Sequence, residues 1–295
     1  MYPRPKLPVP RPRPFPPKPK PLPARKRMTI AVGVLCHGGV VVASDSQEVV
    51  QGYWKRKVWK LSIQDIGDDG PMSLIVAGAG RAGYIDALSQ RLGDVFSDAR
   101  GDWQQAVDGF RRELQGFHRD HVVPYSDLPE VSALIAMQKG GAVAYLYSTD
   151  RSTMSEEYDS TAVGIGSGHA RAILAPMNIP SHKLSVDAAV ALAVYVVHHT
   201  GAHVADCGDE TVVAGIQNGE NFLVPAESVK GMEEIFSRYM ETLEPWIAAG
   251  IMGARRPPTP TFHRYLAKAR RAVMKLASKR VNGSGIEEII GSEPG

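Results

Sequence analysis

If Thr29 stood at a chain terminus, this chain of 295 residues would carry a nucleophile with its own base. A threonine hydroxyl is a weak nucleophile and needs a base beside it. A threonine at a chain terminus carries that base itself. Its α-amino group has a reference pKa of about 7.7–8.0, close to the operating pH that a general base needs. Thr29 stands where the composition changes abruptly: a proline-rich segment ends at Met28, and TIAVGVLC follows. The chemistry therefore requires that residues 1–28 be gone. Translation from Met28 followed by methionine trimming would expose Thr29, and so would cleavage of a propeptide after Met28. Downstream, KRKVWKL offers three ammonium groups, Lys55, Lys57 and Lys60, and an ammonium lowers the pKa of a nearby hydroxyl or acid.

Other clusters carry weaker signals. His198 and His199 adjoin and His203 follows. His199 and His203 have the four-residue spacing of ligands on one helix face, but Gly201 is expected to end the helix before that geometry forms, so no metal site is expected. The segment AGAGRAG has the look of a dinucleotide loop without the strand–helix–strand context that such a loop needs. No cofactor is expected. Cys36, inside the first apolar hairpin, reads as a core thiol.

The elements that would position these residues follow from patterning. TIAVGVLC, a His-Gly-Gly turn and VVVASDSQ read as a hairpin of β-branched strands. A third strand is expected at 57–63 (KVWKLSI), and a fourth, MSLIVAGAG, ends in glycines. Helical periodicity runs from about Ala82 to Phe96 and from about Trp103 to His118. Strands return at VSALIAMQ, AVAYLYS and STAVGI, the last leading into the glycine-rich GIGSGHA. SVDAAVALAVYVVHHTG is a helix with Ser185 as N-cap and Gly201 as its stop. DETVVAGIQNGENFLV is a hairpin on an Asn-Gly turn, and MEEIFSRYMETLEPW is an amphipathic closing helix. Runs of strands followed by runs of helices indicate an α+β layered domain with antiparallel sheets rather than a doubly wound one.

The formal net charge of +3 hides a partition. Residues 1–27 hold nine Lys/Arg and no acid, and 251–295 hold nine Lys/Arg and three acids, so the body between them is strongly acidic. An acidic body argues against nucleic acid as the partner. The first segment has eleven prolines between Pro3 and Pro23 and should be an extended, solvated rod. At the other end, HRYLAKARRAVMKLASKR is a basic amphipathic helix. It either packs on its own body or contacts an acidic partner surface. No run of about 18 apolar residues exists, so no spanning helix is expected. Two cysteines and no apolar signal segment point to a reducing, cytoplasmic setting. The expected organisation is a leader, 1–28; a folded domain, 29–245; and a basic extension with one helix, 246–295.

The stretch from Thr29 to about Leu243 resembles the proteasome β-type and HslV peptidases. TIAVGVLCHGGVVVASDSQ is similar to the start of their mature chains, with an acid, Asp45, sixteen positions after the threonine. MSLIVAGAG resembles their strand ending in Ala-Gly, VGIGSGHARAIL their Gly-Ser-Gly segment before a short helix, and LSVDAAVALAVYVV their later helix. The resemblance implies a four-layer α-β-β-α sandwich of the N-terminal-nucleophile hydrolase type. It implies peptide-bond hydrolysis by Thr29, with Asp45 orienting a lysine. Lys60-Leu61 fits the family's lysine, given one deletion in the intervening turn. The resemblance also implies an oxyanion donor in the Gly78 backbone N–H, and a serine near the Thr29 amine, Ser167. The family's Asp-x-x-Ser-Gly is replaced here by HVADCGDETVV, where Cys207-Gly208 stands for Ser-Gly. The acid that would orient the amine is left open between Asp206 and Asp209. Family propeptides usually end in glycine, and Met28 departs from that, which favours a start at Met28.

The same resemblance implies polypeptide substrates, a homo-oligomeric ring, often stacked in pairs, and an ATP-driven unfolding partner. Two other readings share the fold: an inactive scaffold subunit that keeps residues 1–28, and an amidase for small substrates. A third makes the body a platform whose proline-rich arm and basic tail recruit acidic partners or nucleic acid.

Overall fold

The computed structural model describes residues 29–50, 54–57, 60–66, 72–100, 102–124, 131–177, 179–204, 207–208, 210–251 and 259–282. The expected leader, 1–28, lies outside them, as do Asp206 and Asp209.

The chain opens with a hairpin of β1 (Ile30–Cys36) and β2 (Gly39–Asp45). Then come β3 (Gln47–Val50), β4 (Trp54–Lys57), β5 (Leu61–Ile66) and β6 (Met72–Gly80). Two helices follow, α1 (Ala82–Asp98) and α2 (Trp103–Phe117), the second capped by Asp102, whose side chain accepts from the Gln105 amide at 3.0 Å. Next are β7 (Val131–Lys139), β8 (Tyr145–Asp150), β9 (Thr153–Glu157), β10 (Ser160–Gly164), α3 (Ser167–Leu174) and α4 (Val186–His203). The chain closes with β11 (Thr211–Gln217), β12 (Glu220–Leu223), α5 (Ala226–Ile251), α6 (Thr259–Ala277) and β13 (Val281–Asn282). The β11–β12 turn has Asn218 and Gly219 at φ of 55° and 86°, the two positive values that a type I′ hairpin needs and that Asn-Gly supplies.

Two sheets face each other. One has the order β10-β1-β2-β11-β12-β13, the other β5-β6-β7-β8-β9, and β3 and β4 pair in a separate ribbon. The pairings are antiparallel throughout. Strand alternation assigns each side chain to a layer. In β1, Ile30, Val32, Val34 and Cys36 point to the helices α3–α6, whereas Ala31 and Leu35 point to the opposing sheet. Between the sheets, Leu61, Ile75, Leu134, Leu146 and Ile216 form the central layer. Behind the second sheet, α1 and α2 bury Leu88, Leu92, Phe96, Phe110 and Phe117. The result is the four-layer α-β-β-α sandwich.

Several elements depart from the sequence reading, among them β3, β9 and β13, strands it did not expect. The single strand expected at 57–63 is divided, with β4 ending at Lys57 and β5 beginning at Leu61. The helix stop expected at Gly201 is absent: α4 continues to His203. Gly201 serves close approach instead. A Cβ there would lie 3.1 Å from the Gly208 Cα, so the missing side chain admits the returning backbone rather than ending the helix.

No helix among the described residues is long and apolar enough to cross a membrane. The basic helix α6 packs on its own body, placing Val273 and Ala277 in the core shared with α4 and α5, and β13 extends the first sheet through β12.

Candidate active site

The β1–β2 register places Ala31 opposite Ser44, so Asp45 lies beside the start of β1. Its Oδ1 accepts from the Ile30 amide at 3.2 Å. From the facing sheet, Lys60 enters just ahead of β5. Its Nζ donates to Asp45 Oδ1 at 2.9 Å and to Thr29 Oγ1 at 3.0 Å. One ammonium thus joins the hydroxyl to the carboxylate. The three residues are 2%, 1% and 3% exposed for Thr29, Asp45 and Lys60. At that depth a charge is tolerated only with a partner and hydrogen bonds. Asp45 has both, because its Oδ2 also accepts from the Gly208 amide at 3.2 Å. Burial pushes the Asp45 carboxyl up from its ordinary value, and Lys60 with the two amides opposes that push.

Of the three candidate lysines, Lys60 makes these contacts, while Lys55 and Lys57 lie on β4. One residue that the sequence reading did not single out is Gly164. It faces Ile30 across β1–β10 and has φ of +92°. A Cβ there would come within 2.2 Å of the Thr29 carbonyl oxygen and 2.8 Å of Ala79 Cβ. Only glycine lets β10 run this close to Thr29. Gly208 was named only as part of a Ser-Gly replacement, yet its amide is a direct partner of Asp45. The available signals were the glycines of GIGSG and of Cys207-Gly208, which also read as turn punctuation.

Gly78 is the glycine expected to offer an oxyanion donor. Its N–H donates to the Lys60 carbonyl at 3.1 Å. Register is the reason: Leu61 pairs with Ala77, which sets Lys60 opposite Gly78. Ser167 begins α3, three residues beyond Gly164, and no hydrogen bond joins it to Thr29 among the described residues. Cys207 is buried, and a Cβ on Gly166 would meet its Sγ at 2.9 Å, so the Cys-Gly segment and the Gly-Ser-Gly segment pack together. Cys36 is remote from this chemistry, and burial pushes its thiol up to about 12 despite the opposing charge of Arg280.

A buried lysine shared between a hydroxyl and a carboxylate stabilises the alkoxide form of that hydroxyl. With a free Thr29 amine as base, nucleophile and proton acceptor would belong to one residue.

A family model described as proteasome subunit matches residues 26–216. Among solved structures, the chain is similar to Anbu, an ancestral beta-subunit, from Yersinia bercovieri. The TM-score is 0.60 at 13% identity, over 74% of this chain and 97% of that one. It is also similar to Anbu from Hyphomicrobium sp. strain MC1, with a TM-score of 0.58 at 13% identity, over 74% of this chain and 97% of that one. A comparison with curated protein sequences gave no match.

Proposed function

The chain belongs to the proteasome subunit family, and we propose that it is a threonine-type endopeptidase subunit of a proteasome-like ring protease. The observation that carries this reading is the Lys60 ammonium, buried and hydrogen-bonded at once to Thr29 Oγ1 and Asp45 Oδ1. After loss of residues 1–28, the Thr29 amine takes the Oγ proton as Oγ bonds to the substrate carbonyl carbon. The same proton passes to the leaving amine as the C–N bond breaks, giving an ester on Thr29. Water, deprotonated by the amine, then cleaves the ester and restores the hydroxyl. Lys60 holds down the pKa of Oγ, and Asp45 holds Lys60 in place. Ser167, at the start of α3, is the serine assigned to the neighbourhood of the amine.

The oxyanion needs an N–H donor. Gly78 was the sequence candidate, and it fills the role only if its bond to Lys60 opens. Amides on one edge of a strand recur every second residue, so Gly80 presents the next N–H on that edge and is the alternative donor.

The test is peptidase activity on fluorogenic peptides for chains that begin at Thr29, confirmed by intact mass. The Thr29-start chain should be active. The same chain with Lys60→Ala should lose at least about 100-fold in kcat, the scale of one acid–base or electrostatic contribution. Full-length protein that retains Met28, and a Thr29→Ala chain, should be inactive. Activity retained by Thr29→Ala would overturn the assignment. One observation favours a second reading, an inactive scaffold subunit: the engagement of the Gly78 amide by Lys60. Complete inactivity of a correctly exposed Thr29 would select it.

A further inference from the structure

We propose that His169, His199 and His203 form a site for one divalent transition-metal ion of the zinc class, clamping α3 to α4. The continuation of α4 through Gly201 makes the site. His199 and His203 are one turn apart on the same face, and His169, in the first turn of α3, meets them from the side. One ligand nitrogen from each of the three lies within 4.8 Å of the others. His169 Nε2 and His199 Nδ1 are 3.0 Å apart, two ring nitrogens aimed at each other that must share either a proton or a cation. His203 Nδ1 bonds the His199 carbonyl oxygen at 2.8 Å. That bond fixes the proton on Nδ1 and leaves the lone pair on Nε2, the second-shell arrangement typical of metal-binding histidines.

The rings are close and nearly parallel, with centroids 4.2 Å apart for His199 and His203 and 5.2 Å for His169 and His199. A tetrahedral ion with metal–nitrogen bonds of about 2.0–2.1 Å needs its ligand atoms about 3.3 Å apart. Turning the His169 and His199 rings about χ2, a broad torsion in histidine, is the adjustment that an ion at that spacing would require. Three imidazoles suit zinc, copper and nickel rather than magnesium or calcium, and water completes the coordination at the exposed His203 side. His198 belongs to a different contact: its Nε2 lies 2.9 Å from Ser237 Oγ on α5.

The ion would fix the short helix α3, whose first residue is Ser167, against the long helix α4. The proposal does not depend on peptidase activity, and binding is measured directly. Untagged full-length chain, stripped with chelator, is titrated calorimetrically with Zn²⁺, with Mg²⁺ as control. The expected result is one Zn²⁺ per chain, no response to Mg²⁺, and a Tm raised by about 5 °C at saturation. His203→Ala and His199→Gln should each weaken binding at least about 10–100-fold, the loss seen for mere outer-shell partners, and should abolish the Tm shift. Cys207→Ser and His198→Gln should bind like the wild type. His203 is exposed at a helix end, and far-UV circular dichroism of His203→Ala checks that it folds. Absence of stoichiometric Zn²⁺ binding, or unchanged binding in both His203→Ala and His199→Gln, would overturn the site.

Discussion

Lys60 is 3% exposed, and a lysine at that depth ordinarily sheds its charge or the fold. Here its ammonium bonds the Asp45 carboxylate at 2.9 Å. Such a pair does little for net stability, but removing one member is costly, because the other charge stays buried. Asp45→Asn should therefore lose about 3–5 kcal/mol of unfolding free energy, read from urea denaturation. The double variant Asp45→Asn, Lys60→Met should recover most of that loss while remaining inactive. A single variant that loses less than about 1 kcal/mol would show that the pair is more solvated than its burial indicates. Thr29 was singled out through the resemblance, and the composition break just before it agrees with a terminus there. Asp45 and Lys60 were singled out through the resemblance, Asp45 by its sixteen-residue distance from Thr29 and Lys60 by its place before Leu61, given one deletion in the intervening turn. The Gly78 amide was not legible. Which way an N–H points depends on strand register, and the sequence does not state the pairing of Leu61 with Ala77.

At the scale of elements, two glycines four residues apart make opposite demands. Gly164 ends β10 with φ of +92°, and a Cβ there would collide with the Thr29 carbonyl. Gly168 lies in the first turn of α3, and a Cβ there meets nothing within 4 Å. Gly164→Ala should cost at least about 1–3 kcal/mol through backbone strain and should lower activity, because β10 holds the start of β1. Gly168→Ala should be neutral or stabilising by about 0.4–1 kcal/mol. Thermal melts of the two variants check the contrast, and equal effects would mean that β10 does not hold Thr29 in place. The same difficulty explains the misread end of α4. A glycine reads as a helix stop from sequence, and only the approach of Gly208 reveals Gly201 as a contact point. Strands β1, β2 and β6 were legible by contrast, because they are buried along their whole length and their apolar runs show it.

Charge divides the whole molecule into basic ends and an acidic body, and the sequence alone left two uses for the basic helix. The structure resolves them by its amphipathic pattern. Lys268, Arg271 and Lys275 are exposed on α6, while Val273 and Ala277 are buried against α4 and α5. Gly231 on α5 admits Leu276 so closely that a Cβ there would lie 3.0 Å from its Cδ1. Beyond α6, Arg280 bonds Asp187 and Gln217 and stacks on the Phe222 ring, with its guanidinium carbon 4.7 Å from the ring centroid. Apolar burial supplies most of this docking, since exposed charges are screened and contribute little. Two consequences separate apolar from electrostatic docking. Raising salt to about 1 M, where the screening length is about 3 Å, should leave α6 protected from proteolysis in the full chain. Ending the chain after residue 257 should uncover the apolar faces of α4 and α5, lower the Tm by more than about 5 °C and increase binding of a hydrophobic dye at every salt concentration. If salt alone releases α6 and the shortened chain melts like the full one, the helix is an electrostatic tail, and its place is on a neighbouring acidic body rather than on its own.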